Sequence, residues 1–202
     1  MRPACRKAPR LSACACSIAW WPSITKAEFA LLRHPPVGVP PGLCYGRTEV
    51  PLLDGWRDTM PALADRIRPL RPLQVVSSPA VRCVGPASLL AGLLGAPLRT
   101  DADLRELDFG DWEGLRWDEV PRPALDAWAS DPLGFAPPAG ESGTALIRRV
   151  RRAADRLRAE GNALVVSHGG PLRLLPAILC GETPNLLDPA PGMGSLRIVT
   201  MM

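Results

Sequence analysis

Two stretches decide the fold: Phe29-Ala30-Leu31-Leu32-Arg33-His34 and Ala163-Leu164-Val165-Val166-Ser167-His168. Each is a short apolar run that leads to a histidine. Runs of this length and composition read as strands buried on both faces, the pattern of a parallel sheet. The chain has only two histidines. Both therefore stand at the carboxyl end of a strand, where open α/β sheets bind their ligands.

Working outward, strands and helices alternate. Pro35 to Gly46 is rich in proline and glycine and reads as loop. Trp56 to Ile67 is helical and ends before Pro69. Leu73 to Ser77 is a further strand. The helix after Ser78-Pro79 reaches Leu94, with Gly85-Pro86 expected to kink or split it. Asp101 to Gly114 is acidic and irregular, Trp128 falls on a short helix, and Pro132 to Gly140 is loop. Ser142 opens the clearest helix. Leu146, Val150, Ala153 and Leu157 form its apolar stripe, and Arg148, Arg149, Arg152, Asp155 and Arg156 are expected mostly to face outward. Pro171 begins another helix that stops at Gly181, and Ser195 to Thr200 is the last strand. This order predicts an α/β fold, a three-layer α/β/α sandwich around a mainly parallel sheet.

The 202 residues suit one domain, and 47% hydrophobic with 22% charged residues is a globular composition. No stretch is long and apolar enough to span a membrane. A net charge of +4, with arginines spread along the chain, does not argue for nucleic acid. The six cysteines form no Cys-x-x-Cys pair, so they read as reduced thiols of a cytoplasmic protein. Residues 1–26 have a basic and then apolar character without a good cleavage site, and are expected to be a disordered extension before a domain at 27–202.

The residue types beside the histidines suit a phosphoryl group. Neutral imidazole can attack phosphorus, and Arg33 beside His34 offers a planar fork of donors. Gly169-Gly170 after His168 opens a helix whose free N–H groups favour anions. Ser77-Ser78-Pro79 leads into a second helix start with Arg82 in its first turn.

Five segments in order resemble the histidine phosphatase superfamily, the phosphoglycerate-mutase-like group. They are Leu32-Arg33-His34, Ser77 to Arg82, Glu106 to Gly114, Gly140-Glu141-Ser142, and Ser167 to Gly170. The resemblance implies a phosphorylated nucleophile at His34 and phosphate contacts from Arg33, Arg82, His168 and Gly169. It also implies a proton donor at Glu106. Asp108, Asp111 and Glu113 compete for that last role, although a solvated loop is the plainer reading of Asp111 and Glu113. Tyr45 to Leu52 is similar to a segment of α-ribazole phosphatases, which act late in cobalamin synthesis, and makes Arg47 a candidate substrate-binding residue. Glu141-Ser142 reads as a helix start with Ser142 as N-cap.

One departure stands out. The family normally has glycine after the nucleophilic histidine, then an acidic or polar residue and Thr or Ser. Here the residues are Pro35-Pro36-Val37. Proline removes an N–H, so any phosphate contact from it is lost, and a rigid pocket rim is expected. The reading is a phosphomonoesterase acting on a small phosphorylated metabolite, with α-ribazole 5′-phosphate as the leading substrate. It calls for no metal or cofactor, no nucleic acid and no membrane, and leaves a homodimer open. A phosphoglycerate-mutase-type phosphotransferase and a non-catalytic phosphate-binding module are the alternatives. Trp117 and Trp128 are assigned to core packing.

Overall fold

A computed structural model of the chain describes residues 27–201. The expectation for residues 1–26 lies outside the described residues. The elements are β1 (Ala27–Arg33), α1 (Met60–Ile67), β2 (Gln74–Ser77), α2 (Val81–Leu94), β3 (Leu98–Thr100), α3 (Arg122–Ser130), α4 (Gly143–Glu160), β4 (Ala163–Ser167), α5 (Gly169–Leu179) and β5 (Leu196–Met201). The strands form one sheet in the order β3-β2-β4-β1-β5. All neighbours are parallel except β5, which runs antiparallel to β1.

Alternation along β1 explains the three layers. Phe29 and Leu31 face one core with Val150, Leu157, Leu174 and Leu175 from α4 and α5. Ala30 and Leu32 face the other, with Met60 and Ile67 from α1 and Cys83 and Leu90 from α2. Each such fully buried aliphatic side chain contributes ~1.5–3 kcal/mol relative to exposure.

Three expectations need correction. Gly85-Pro86 does not split α2, which runs unbroken with Pro86 buried inside it. The missing N–H costs one helical bond, and the apolar burial of Pro86 and Ala87 offsets that loss. α5 starts two residues earlier than Pro171, at Gly169. Arg149 does not face outward: it is 6% exposed. Strand β3 was also too short and too polar to be read from the sequence.

The cysteines Cys44, Cys83 and Cys180 are free thiols. Among the described residues no helix is long and apolar enough to cross a membrane.

Candidate active site

The pairing of β1 with β4 places the two histidines side by side. Arg33 is in register with Ser167, so the next residue of each strand, His34 and His168, leaves the sheet at the same level. The His34 N–H donates to the carbonyl of Ser167 at 3.0 Å. The two rings meet edge to face, with centroids 5.3 Å apart and planes at 67°.

Both rings are fully buried. Nδ1 of His34 lies 2.8 Å from the Pro35 carbonyl. A carbonyl can only accept, so Nδ1 carries the proton and Nε2 holds the free lone pair of the neutral ring. That Nε2 is buried and has no hydrogen-bond partner. Burial pushes the His34 pKa down to about 4. The Pro35 hydrogen bond works against this, and the Arg82 and Arg33 guanidiniums add to it. Burial, followed by Arg82 and then His34 itself, holds His168 well below the usual imidazole range. Nε2 of His168 shares a 2.7 Å hydrogen bond with the Ser78 hydroxyl. Ser78 is marked in the sequence only within the segment Ser77 to Arg82 and without a role of its own, although its place beyond the end of β2 is the topological equivalent of His34 and His168.

The arginines surround this pair. Arg82, 1% exposed, donates to the carbonyls of Gly46 and Thr48 at 2.6 and 2.9 Å and lies 5.2 Å from the centroid of Tyr45. Arg33 donates to the Pro191 carbonyl at 2.7 Å. Each keeps a buried Nε with no partner. With His34 Nε2, these supply three of the four unpartnered buried side-chain nitrogens among the described residues, and the fourth is Arg173 Nε. Neutral main-chain partners leave the positive charge of both guanidiniums uncompensated, an arrangement suited to an anion.

Glu106 sits against the start of α5. Its Oε1 accepts from the N–H groups of Gly170 at 3.0 Å and Leu107 at 2.9 Å. A methyl group on Gly170 would stand 2.3 Å from that oxygen, and one on Gly169 would press on the Arg33 guanidinium at 3.3 Å. The glycine pair is what lets carboxylate and guanidinium close on the helix start. The helix N-terminus expected to hold an external anion thus spends its Gly170 N–H on a carboxylate of the chain itself.

Arg47 is already engaged. It pairs with Asp108 at 2.9 Å and Glu141 at 3.2 Å, and donates through Nε to the Glu106 carbonyl at 3.2 Å. Glu113 is not a solvated-loop residue. Its carboxylate accepts from the N–H groups of Arg47, Thr48 and Phe109 and from the Thr48 hydroxyl. It fixes the loop whose carbonyls hold Arg82. Asp111 is exposed, as the plainer reading had it. Ser142 caps α4 through its hydroxyl, as expected.

A cleft of about 590 Å³ opens beside Arg33, Glu106, Gly169 and Gly170. Its far wall is apolar and includes Phe109, Trp117, Trp128 and Leu186. Trp117 and Trp128 stack at 6.0 Å with planes 6° apart, and Phe109 meets both edge to face. Core packing and pocket lining are therefore not alternatives for these tryptophans: both pack in an aromatic cluster with Trp112 and Phe135, and both border the cleft. Among the described residues no group of three or more His, Cys, Asp or Glu side chains is placed to hold a metal ion.

Comparison with known proteins places the chain in a family. The family described as the histidine phosphatase superfamily (branch 1) matches residues 29–201. A bifunctional protein of Mycobacterium tuberculosis is 37% identical over 159 residues, which are 75% of this chain and 43% of that protein. The chain therefore spans less than half the length of that relative. The glucosyl-3-phosphoglycerate phosphatase of Mycolicibacterium vanbaalenii is 31% identical over 169 residues, 77% of this chain and 75% of the relative. The α-ribazole phosphatase from Shigella flexneri superposes with a TM-score of 0.75 at 26% identity, over 87% of this chain and 94% of that one. With its phosphoglycerate-mutase-like sandwich, this chain belongs to the histidine phosphatase superfamily, branch 1.

Proposed function

We propose that this chain hydrolyses phosphomonoesters through a phosphohistidine on His34. One observation carries the reading: the Pro35 carbonyl fixes the Nδ1 proton, which leaves a buried, unpartnered Nε2 beside Arg33, Arg82 and His168. Nε2 attacks phosphorus, and the bond from phosphorus to the ester oxygen breaks. Glu106, in its acid form, gives its proton to that oxygen. Arg33, Arg82, His168 and the Gly169 N–H hold the phosphoryl oxygens as charge moves among them. Glu106, now a carboxylate, takes a proton from water. The hydroxyl oxygen bonds to phosphorus, the P–N bond breaks, and its electron pair returns to Nε2.

The cleft beside Glu106 receives the departing alcohol, because the proton donor must face the ester oxygen. Its stacked tryptophans offer flat apolar surface to a ring. With the likeness of Tyr45 to Leu52 and of the Shigella structure, this supports α-ribazole 5′-phosphate as the substrate. The engagement of Arg47 with Asp108 and Glu141 makes its part in substrate binding conditional on a partner exchange. Free Cys44, Cys83 and Cys180 fit a cytoplasmic setting.

The test is a phosphatase screen across metabolites that includes α-ribazole 5′-phosphate and glucosyl-3-phosphoglycerate, with His34→Ala as control. Rapid quenching should trap an acid-labile, base-stable phosphoenzyme in the parent chain and none in the variant. Undiminished turnover by His34→Ala would end the proposal, and a preference for the sugar acid would replace the substrate.

A further inference from the structure

The segment from Asp103 to Glu106 has little regular structure, so its carbonyls must find partners outside a helix or sheet ladder. Arg149 provides them. From the middle of α4 it reaches under this segment and donates Nη1 to the carbonyls of Asp103 and Arg105, at 2.8 and 2.5 Å. Its Nη2 donates to the carbonyl of Glu106 at 2.8 Å and to Glu141 Oε1 at 2.5 Å. Its Nε donates to the Glu141 carboxylate at 3.2 Å. All five guanidinium N–H groups are thereby used. Glu141 in turn accepts from the Asp108 N–H and pairs with Arg47, and Arg47 is the second donor to the Glu106 carbonyl.

We infer that Arg149, held by Glu141, is a positioning residue that sets where the Glu106 carboxyl stands relative to the ester oxygen. Two arginines grip the Glu106 carbonyl from the protein side while the Gly170 and Leu107 N–H groups grip its carboxylate from the site side. Glu106 is thus hydrogen-bonded at both its carbonyl and its carboxylate. A lysine cannot substitute, because three donors on a tetrahedral head do not match five in a plane. A simple stitch between α4 and the neighbouring loop would explain the burial as well. It would not make the loss depend on the leaving group.

The inference rests on Glu106 being the proton donor, so the experiment tests the two separately. First-turnover phosphoenzyme formation is measured on the full chain by rapid quench, with p-nitrophenyl phosphate and with an alkyl phosphate. Vanadate affinity and thermal melting are recorded alongside. Glu106→Gln tests the acid assignment. Arg149→Lys should slow the alkyl phosphate roughly 10²-fold, the scale expected for ~1 Å of misplacement, and p-nitrophenyl phosphate by no more than ~3-fold. The double variant with Glu106→Gln should be no slower than Glu106→Gln alone. If Arg149→Lys does not fold, Glu141→Gln carries the test, with the same selectivity at about 5-fold. Equal slowing of both substrates, or additive losses in the double variant, would overturn the role of Arg149 and leave Glu106 untouched. A Glu106→Gln enzyme without leaving-group selectivity would overturn both.

Discussion

The Nδ1–H of His34 donates to the carbonyl of Pro35, the very next residue, at 2.8 Å. The position that departs most from the family pattern thus supplies the bond that orients the proposed nucleophile. Proline lacks the N–H of the usual glycine but keeps the carbonyl. What changes is the number of donors near the proposed phosphate site, and the tautomer of the ring stays fixed. The rim is also tied down, because the Pro36 carbonyl accepts from the Leu53 N–H and Val37 bridges to Leu52.

Pro35→Gly should therefore leave phosphoenzyme formation intact and strengthen anion binding. A regained hydrogen bond of about 1 kcal/mol corresponds to roughly 5-fold tighter vanadate binding. Inhibition constants for parent and variant measure this. Loss of the phosphoenzyme in Pro35→Gly would show that the ring needs the rigid proline as well as its carbonyl.

Gly46→Ala should weaken the proposed phosphate clamp without touching any group proposed to contact phosphate. Gly46 has φ +35°, and a methyl group there would stand 2.1 Å from Glu113 Oε1. Glu113 must give way, and with it the loop whose Gly46 and Thr48 carbonyls hold Arg82. The expected result is a KM and a vanadate dissociation constant raised about 10-fold, the scale of one charged hydrogen bond, with kcat changed less. A fall in kcat at constant KM would place the effect on Glu106 instead.

Much of the scaffold could be read from residue types, and the site could be read only in part. The two apolar runs fixed by Phe29 and Val165 announce buried parallel strands, and strand geometry then carries His34 and His168 to one place without further information. The Leu146 to Leu157 stripe announces α4. Arg149 shows where such reading stops. It stands next to Val150 on the edge of the stripe, and periodicity treats an arginine as outward by default. Its burial is set by unpaired carbonyls some forty residues earlier, a long-range demand that leaves no mark on local pattern. Glu113 escaped for the same reason, since most of its partners, the Arg47 and Thr48 N–H groups and the Thr48 hydroxyl, lie on a distant loop. β3 has three residues, too few to show an alternation.

Trp128→Leu should separate the cleft from the chemistry. Its ring stacks on Trp117 and meets Trp112 and Phe109 edge to face, so the substitution removes the flat wall while keeping much of the apolar volume. An aromatic contact of this type is worth about 0.5–1.5 kcal/mol, or roughly 2- to 10-fold. KM for α-ribazole 5′-phosphate should rise by that factor while a small alkyl phosphate is unaffected. Equal effects on both would mean that the aromatic cluster supports the fold and does not receive the ring.

Stability should fall on mild acidification, and the sign follows from His34. Above its ordinary value of 6.5 the imidazole is neutral in both folded and unfolded chains, and stability is at its maximum. Below 6.5 the unfolded chain gains a proton that the folded chain, with its value lowered to about 4, refuses. Folding free energy is then lost steadily until about pH 4, by about 3 kcal/mol for this group. His168 is lowered for the same reason and adds to the loss. Burial works against ionisation of Asp103, but hydrogen bonds from Arg152 and Arg156 outweigh it and hold the carboxyl below its ordinary 3.8, so it contributes only at lower pH. Burial opposes ionisation of Glu160 too, but Arg99 and Gln74 hold it below its ordinary 4.5, and it adds to the loss only at the acid end of the window. Urea unfolding between pH 8 and 4, in buffers without phosphate, should show the slope, and His34→Gln should make it shallower while the His168 share remains. A parent stability curve that stays level from 6.5 to 4 would mean that the two rings take up protons in the folded chain, and the neutral nucleophile would go with it.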